Sequence, residues 1–375
     1  MRWLLPLMLG LLAACAHAET APTAPRSPEK RIALSFDDAP RAPGAFLTEE
    51  ERTRLLIANL AEAGVDQAVF FVNPGQIDGA DDEARIVAYV AAGHVIANHS
   101  ASHPHLSQTD AAAYLADIDA AEEWLHGRAG YRPWFRYPYL DEGRQDKGKR
   151  DAVREGLAQR GLSNGYVTID ASDWFYESAA KRAVADGHKI DRQALHDLYI
   201  ETQVDAAEFY DQLARQTIGR SPVHVILLHE TDLNAMYIGD LVRALEAKGW
   251  TIVSADEAYA DPFADYAPVY DTPSAQGSLT EMVAWEKGLP APRWYRGNDT
   301  DRAQQWFDTR VLGLPRKQND CALTTKLLSW AGHAICAGPS RRHSGRPRDR
   351  RCVRAGAVRH LAAQQRPHRD RRDRH

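Results

Sequence analysis

The feature that most constrains the fold is a regular alternation of short apolar runs with longer amphipathic segments between residues 32 and 254. Apolar runs of this kind, bounded by polar residues, are typical of buried strands. The pattern predicts strands at residues 32–36, 68–72, 94–97, 134–137, 165–169, 223–228 and 251–254.

The segments between these runs repeat apolar residues at the spacing of amphipathic helices. They lie at residues 49–63, 80–92, 110–126, 149–160 and 238–248. Because strands that alternate with helices form parallel sheets with crossover connections, the sequence predicts an α/β barrel or an open α/β sheet. A further amphipathic stretch at residues 174–220 predicts an inserted pair of helices beside the mouth of the fold. This pair either shapes access to a site or packs outside as a solvated hairpin.

Near the N-terminus, residues 3–14 form an apolar stretch that is too short to span a bilayer and is typical of a signal-peptide core. We therefore predict a signal peptide at residues 1–18 and export to a bacterial periplasm or envelope. Residues 12–15 (LAAC) resemble a lipobox, which predicts a lipoprotein tethered to a membrane through lipidated Cys15. Residues 16–18 (AHA) instead suit ordinary signal cleavage, with Cys15 as a small apolar residue.

Composition predicts the remaining boundaries. Residues 19–30 are rich in Pro, Ala and charge and indicate a linker before a main domain at 31–262. Residues 263–316 contain Pro and aromatic residues and indicate a C-terminal extension that wraps the barrel. Residues 317–375 form a tail, either disordered or frameshifted, in which positions 341–375 hold 13 Arg and no Lys. Since the whole chain has a net charge of -5, its body is acidic, which argues against nucleic acid as a partner.

Five predicted strands end in polar residues of catalytic type. In α/β barrels such strand ends meet at one rim, where active sites form. The five segments are SFDD at 35–38, HSASH at 99–103, RYPY at 136–139, DASDW at 170–174 and LLH at 227–229.

The spacing of His99 and His103 predicts two imidazoles on one face of a helical turn. With Asp38 as a third ligand they would form a set of two histidines and one carboxylate that leaves a position open for water on a divalent metal. His105 would face away from such a turn. Taken alone, an H-x-x-x-H pair also occurs where no metal binds.

The neighbouring carboxylates at the end of the first strand point in different directions, so Asp38 can bind the metal while Asp37 acts as a base on water. Arg136 can hold the Asp37 carboxylate and keep it ionised. Alternatively, the aspartate pair caps a helix or forms a turn, and Arg136 is a surface arginine.

His229 ends the most strongly apolar strand, at residues 223–228. It is either a core histidine or a general acid, and the second role requires a carboxylate that raises its pKa. Asp173 can supply that carboxylate, although its position also suits a helix N-cap.

Taken together and in this order, the five segments resemble the signature motifs of the polysaccharide deacetylases, also called the NodB homology domain or carbohydrate esterase family 4. The resemblance covers residues 31–261. It implies a distorted (β/α) barrel with a divalent metal, usually zinc. It departs from the family pattern at Ala39 and Leu140, which puts the substrate and the loop shape in doubt more than the hydrolysis.

The resemblance also implies a role for each matching residue. The metal ligands would be Asp38, His99 and His103. Asp37 would be the catalytic base, Arg136 the residue that holds it, His229 the catalytic acid and Asp173 the carboxylate that tunes it. The substrate-binding positions would be Tyr139, whose backbone N–H helps to bind the oxyanion, and Trp174 and Leu227, which line the pocket for the acetyl methyl group.

These expectations predict a hydrolase of non-peptide C–N bonds, namely a polysaccharide N-deacetylase that releases acetate. Its partner would be an acetylated, N-acetylglucosamine-containing glycan such as peptidoglycan, a chitin-like oligosaccharide or an exopolysaccharide, and no organic cofactor would be needed. Two alternatives remain open, an O-acetyl esterase and a catalytically silent carbohydrate-binding protein. No sequence feature indicates an oligomeric state.

Overall fold

A computed structural model of the chain describes residues 29–315. The predicted signal peptide, Cys15, most of the linker and the Arg-rich tail lie outside the described residues. Within residues 29–315, no helix combines the length and apolar character needed to cross a membrane.

Eight strands form a parallel sheet around a central strand, β1, which is buried over most of its length. The strands of this sheet are β1 (Lys30–Ala39), β2 (Val69–Val72), β3 (Val95–Asn98), β4 (Tyr131–Phe135), β6 (Ser163–Asn164), β7 (Ile169–Asp170), β8 (Val223–His229) and β9 (Trp250–Ile252). Their order is β6-β4-β3-β2-β1-β8-β7, with β9 paired to the start of β1. Two short strands, β5 (Asp141–Arg144) and β10 (Ala275–Gln276), form an antiparallel pair.

The two edges of the parallel sheet belong to one short stretch of chain, which draws the sheet into a distorted barrel. The Gly165 N–H donates to the Phe135 carbonyl beside β6 (2.7 Å), and the Thr168 N–H donates to the Val225 carbonyl beside β7 (2.9 Å). Residues 165–168 therefore bridge the edges. The predicted α/β barrel is confirmed, but the predicted strand at 165–169 is wrong for its first four residues, because this segment bonds to a different strand at each end.

Helices cover the barrel. They are α1 (Glu49–Glu62), α2 (Ala80–Ala91), α3 (Ala111–Leu125), α4 (Lys147–Gln159), α5 (Asp173–Ala185), α6 (Arg192–Ile218), α7 (Asp232–Ala247), α8 (Ala255–Tyr259), α9 (Leu279–Glu286) and α10 (Thr300–Trp306). Side-chain caps explain several starts: Thr48 and Glu51 form a capping box before α1, and Asp110 caps α3.

The five predicted amphipathic helices correspond to α1, α2, α3, α4 and α7. The last begins six residues before its predicted start at 238, because Thr231 accepts the Asn234 N–H and caps the helix there. Its first turn buries Asp232 and Asn234, so a search for apolar spacing does not detect that turn.

The inserted helical pair is α5 and α6, and it is not a solvated hairpin. Helix α6 buries a long face that includes Leu195, Leu198 and Tyr199, and it packs against α7 and α9. The solvated-hairpin interpretation is therefore wrong, because this pair contributes to the main hydrophobic core. Beyond it, the extension packs on the barrel through β10, which pairs with β5, and through α9 and α10, which contact α6 and α5.

Candidate active site

The strand register brings the polar strand ends together. Asp37 on β1 is paired directly with His229 on β8. His99 follows β3, and its N–H donates to the Val72 carbonyl at the end of β2 (3.0 Å). Arg136 follows β4 in the same way, with its N–H on the Asn98 carbonyl (2.9 Å). Parallel strands thus present these residues at one carboxyl-terminal rim.

Asp38, His99 and His103 form a donor set that fits a divalent metal ion. Their ligand atoms all lie within 4.8 Å of one another, and they are the one such group of three among the described residues. Asp38 Oδ1 lies 3.1 Å from His103 Nε2 and 3.5 Å from His99 Nε2, yet it is buried and accepts no hydrogen bond. Donor atoms about 2.0–2.2 Å from a tetrahedrally bound ion are separated by about 3.3 Å, so the two spacings from Asp38 Oδ1 are compatible with a shared cation.

The orientation of His99 supports this assignment. Its Nδ1 lies 2.9 Å from the Arg136 carbonyl oxygen, which can only accept a hydrogen bond. Nδ1 therefore carries a proton, and Nε2 faces the Asp38 side. A histidine whose second nitrogen donates to a carbonyl is typical of metal centres.

The backbone between the two histidines corrects one prediction. Residues 99–103 are not a helical turn; they form a loop in which Ser100 and His103 have φ of 64° and 58°. Polar side chains hold this loop: Asn98 accepts the Ser100 N–H, and Ser100 Oγ accepts the His103 N–H. The two imidazoles converge because of this turn. His105 is outside the donor set, with its ring stacked on Tyr139 at 3.5 Å between centroids.

Arg136 holds Asp37 in a buried ion pair. Its Nη1 donates to Asp37 Oδ1 at 2.8 Å, and both side chains are almost completely buried. The guanidinium also donates to the Gly165 carbonyl and to Tyr259 Oη, and it lies 4.1 Å over the Phe71 ring. These contacts use most of the Arg136 donors, and Arg136 bonds Asp37 through Oδ1 alone. The other oxygen, Asp37 Oδ2, lies 3.6 Å from His99 Nε2.

His229 and Asp173 form a second buried pair at this rim. His229 Nδ1 donates to Asp173 Oδ1 at 2.7 Å, while Asp173 Oδ2 accepts the His229 N–H (2.8 Å) and Asn234 Nδ2 (2.6 Å). Burial alone lowers the pKa of a histidine, but the Asp173 carboxylate raises the pKa of His229 to about 9. His229 is therefore protonated at neutral pH and can donate a proton.

Asp38 is ionised for a related reason. Burial alone raises the pKa of a carboxyl group, but the imidazole of His103 and the guanidinium of Arg41 hold the pKa of Asp38 well below its ordinary value. A carboxylate must be deprotonated to bind a cation, so the electrostatics match the ligand role.

The predicted substrate-binding residues lie at the same rim. Tyr139 has φ of 58°, is 42% exposed, and packs against His103 as well as His105. Trp174 is the second residue of helix α5, directly after Asp173, and Leu227 lies two residues before His229 on β8. Their contacts with an acetyl group stay predictions.

Backbone strain marks this rim. Among the described residues, seven other than glycine have positive φ, a conformation that costs energy and is concentrated at functional sites. All seven lie in the last two residues of a strand or in the segments that follow strands: Asp38, Ser100, His103, Tyr139, Leu140, Arg144 and Ser172.

Several residues that shape the site were not predicted from the sequence. Asn234 holds both Asp173 and the His229 carbonyl, and Arg41 pairs with Asp38. Asp170 sits beside the catalytic groups, where burial, reinforced by the Asp173 charge, raises its pKa. Asp170 lies within the segment singled out at 170–174, whereas Arg41 and Asn234 are distinguished by no motif.

Part of this chain is similar in sequence to known proteins. Residues 24–162 match the family model for polysaccharide deacetylases. The chain is 34% identical over 110 residues to a peptidoglycan-N-acetylglucosamine deacetylase of Bacillus cereus, which covers 29% of this chain and 36% of that protein. It is 35% identical over 97 residues to a chitooligosaccharide deacetylase of Rhizobium leguminosarum bv. trifolii, with coverages of 26% and 40%.

The chain thus spans between about a third and two fifths of the length of the curated relatives it matches. Among solved structures, a family 4 carbohydrate esterase from Streptomyces lividans in complex with acetate has 23% sequence identity and a TM-score of 0.41, over 62% of this chain and 97% of that one. The family match contains the metal-ligand set and Arg136 but ends before Asp173 and His229. The pairing of those two residues therefore rests on the geometry described above.

Proposed function

We propose that the protein is a metal-dependent hydrolase that removes N-acetyl groups from an N-acetylglucosamine-containing glycan and releases acetate, because residues 24–162 match the family model for polysaccharide deacetylases. The observation that carries this proposal is the arrangement of two proton-transfer pairs, Asp37 with Arg136 and His229 with Asp173, around one metal donor set. A carbohydrate-binding protein has no need for a buried acid and base at this position.

The proposed reaction is hydrolysis of the acetamide C–N bond. A divalent cation held by Asp38, His99 and His103, with zinc as the expected ion, supplies Lewis acidity to the acetyl carbonyl and to water. Asp37 takes a proton from the water as its oxygen bonds to the carbonyl carbon, and Arg136 keeps Asp37 available as the ionised base.

The amine leaves after the tetrahedral stage. His229 gives its proton to the nitrogen as the C–N bond breaks, so the products are acetate and a free amine. Asp173 keeps His229 protonated and holds its ring through Nδ1, and His229 Nε2 makes no hydrogen bond within the described part of the chain. The Tyr139 N–H is the expected oxyanion donor, and Trp174 and Leu227 are expected to line the pocket for the acetyl methyl group.

The names of the relatives support the substrate class. One acts on peptidoglycan N-acetylglucosamine and another on chitooligosaccharides, so both act on N-acetylated amino sugars. We propose the same class here and place the enzyme outside the cytoplasm, where the expected signal peptide at residues 1–18 would send it. Lipidation of Cys15 would tether it to a membrane. Cell fractionation of the wild type and a Cys15→Ser variant tests this part, since loss of the envelope-bound fraction is expected.

The decisive experiment measures acetate release from chitooligosaccharides and from peptidoglycan, before and after chelation and with zinc restored. Asp37→Asn should reduce turnover about 10²–10⁴-fold, the usual contribution of a general base. Asp119→Asn is the matched control, because Asp119 pairs with Arg160 on the surface. Undiminished turnover in Asp37→Asn would refute the mechanism. Turnover only on O-acetylated glycans would instead establish the esterase, and glycan binding without any turnover would establish the silent binding protein.

A further inference from the structure

Arg41 contacts the carboxylate of Asp38 at the oxygen that the histidines do not approach. Asp38 Oδ1 lies close to His103 Nε2 and His99 Nε2, whereas Asp38 Oδ2 lies 2.5 Å from Arg41 Nη1. The two oxygens therefore have separate partners. Oδ1 belongs to the metal donor set, and Oδ2 is held by a guanidinium.

The main chain of Arg41 is fixed on both sides by buried groups. Its N–H donates to Glu230 Oε2 at 2.6 Å. Its carbonyl accepts from Arg52 Nη1 (2.9 Å) and from Arg85 Nη2 (3.0 Å). Arg52, Arg85 and Glu230 are all buried, and they come from α1, α2 and the residue after His229. The backbone that carries the guanidinium is thus held in place.

Glu230 connects this anchor to the catalytic strands. It accepts hydrogen bonds from Arg85 Nη2 (2.8 Å) and Tyr89 Oη (2.7 Å), and its own N–H donates to the Asp37 carbonyl (3.1 Å). A charged network with its polar atoms satisfied is rigid in a buried setting. The main chain of Arg41 is therefore fixed by buried charged groups, whereas an arginine in an ordinary surface ion pair has no such anchor. The position of its guanidinium beside Asp38 is correspondingly well defined.

We propose that Arg41 is a positioning residue of the metal centre, which holds Oδ2 of Asp38 so that the cation is bound through Oδ1 alone. This inference rests on the metal-dependent function proposed above. A carboxylate that binds through one oxygen leaves more of the coordination sphere for water and the acetyl oxygen. Partners that hydrogen-bond to a ligand orient it in this way in other metal centres.

The test uses the protein loaded with cobalt(II), whose visible absorption reports its coordination. Loss of Arg41 frees Oδ2 to bind as well, which raises the coordination number and weakens the absorption. Arg41→Met should therefore lose about half or more of the visible molar absorptivity, in line with the dependence of metal spectra on geometry. Arg41→Gln should show the same loss and serves if the methionine variant does not fold. Arg41→Lys restores one donor and should recover part of the intensity.

Arg144→Met is the matched control. Arg144 is a partly exposed arginine at the same rim, 4.0 Å from Asp141, and it does not contact the donor set. Its spectrum should equal that of the wild type. An unchanged spectrum in Arg41→Met or Arg41→Gln overturns the role of Arg41. Absence of any visible band in the wild type with cobalt overturns the metal centre itself and the proposed function with it, so the two failures are distinct.

Discussion

Replacing Asp173 by Asn removes the negative charge beside His229 and keeps the size of the side chain. The Asp173 carboxylate is what raises the pKa of His229 to about 9, against a burial effect in the opposite direction. Without that charge, burial should bring the pKa of His229 below its ordinary value of 6.5. The proton that the leaving amine requires is then lost at a lower pH.

The size of the effect depends on pH. If 6.5 is taken as the upper limit for the pKa of His229 in Asp173→Asn, at most about three quarters is protonated at pH 6 and about 3% at pH 8, against nearly all and about 90% in the wild type, by the ordinary titration relation. Turnover should therefore fall at least about 20-fold more at pH 8 than at pH 6. The pH dependence of kcat/KM reports the pKa values of the free enzyme. The alkaline limb of this profile, measured as acetate release, should therefore shift to lower pH by more than about two units.

The variant also loses stability for a reason the structure makes explicit. The two oxygens of Asp173 accept three donors, the His229 N–H, Asn234 Nδ2 and His229 Nδ1, whereas an amide has only one accepting oxygen, so at least one of these donors loses its partner. Leaving buried donors unpaired costs about 1–3 kcal/mol each. The unfolding free energy should therefore fall by about 1–3 kcal/mol, measured by urea denaturation.

Stability should also depend on pH in the wild type. The folded-state pKa of His229 is above its unfolded value, so its contribution is full below pH 6.5 and is lost as pH rises through about 9. At about 1.4 kcal/mol per pKa unit, this amounts to about 3 kcal/mol. Asp240→Asn, beside the surface residue His196, is the control and should leave the activity profile unchanged. An equal loss of turnover at pH 6 and pH 8 in Asp173→Asn would refute this reasoning.

Three further changes test other parts of the structure. His103→Ala should weaken zinc binding by more than the roughly 10–100-fold that loss of an outer partner costs, measured by competition with a chelator, and unchanged affinity would exclude His103 as a ligand. Gly44→Ala should lower thermal stability, since its Cβ would lie 2.2 Å from carboxylate oxygens on α5 and α7, whereas Gly148→Ala has space and should not. Arg136→Lys keeps a positive charge beside Asp37 but loses the several N–H donors of the guanidinium. It should lower the unfolding free energy by about 2–3 kcal/mol. A variant as stable as the wild type would contradict the buried pairing.

Local sequence was sufficient for most of the fold. Apolar spacing predicted helix α1, which the capping box of Thr48 and Glu51 starts, and a continuous apolar run predicted β8. Caps and periodicity act over a few residues, so a local pattern is enough for such elements. It was insufficient where a segment bonds to two different partners. Residues 165–168 read as a strand, yet they cross from one edge of the barrel to the other. The first turn of α7 was missed because its buried residues are polar.

For the site, the sequence by itself determined which residue types stand at the strand ends and in what order, from Asp37 to His229. Only the tertiary structure decided how they meet. Arg136 and Asp37 are 99 positions apart in the sequence, and Asp173 and His229 are 56 apart. Their contacts depend on strand register, which side-chain periodicity within one strand does not specify. The left-handed turn between His99 and His103, and the anchor of Arg41, depend likewise on contacts with other parts of the chain. Local preferences act over neighbouring residues, whereas the energies that place these groups come from burial and long-range pairing.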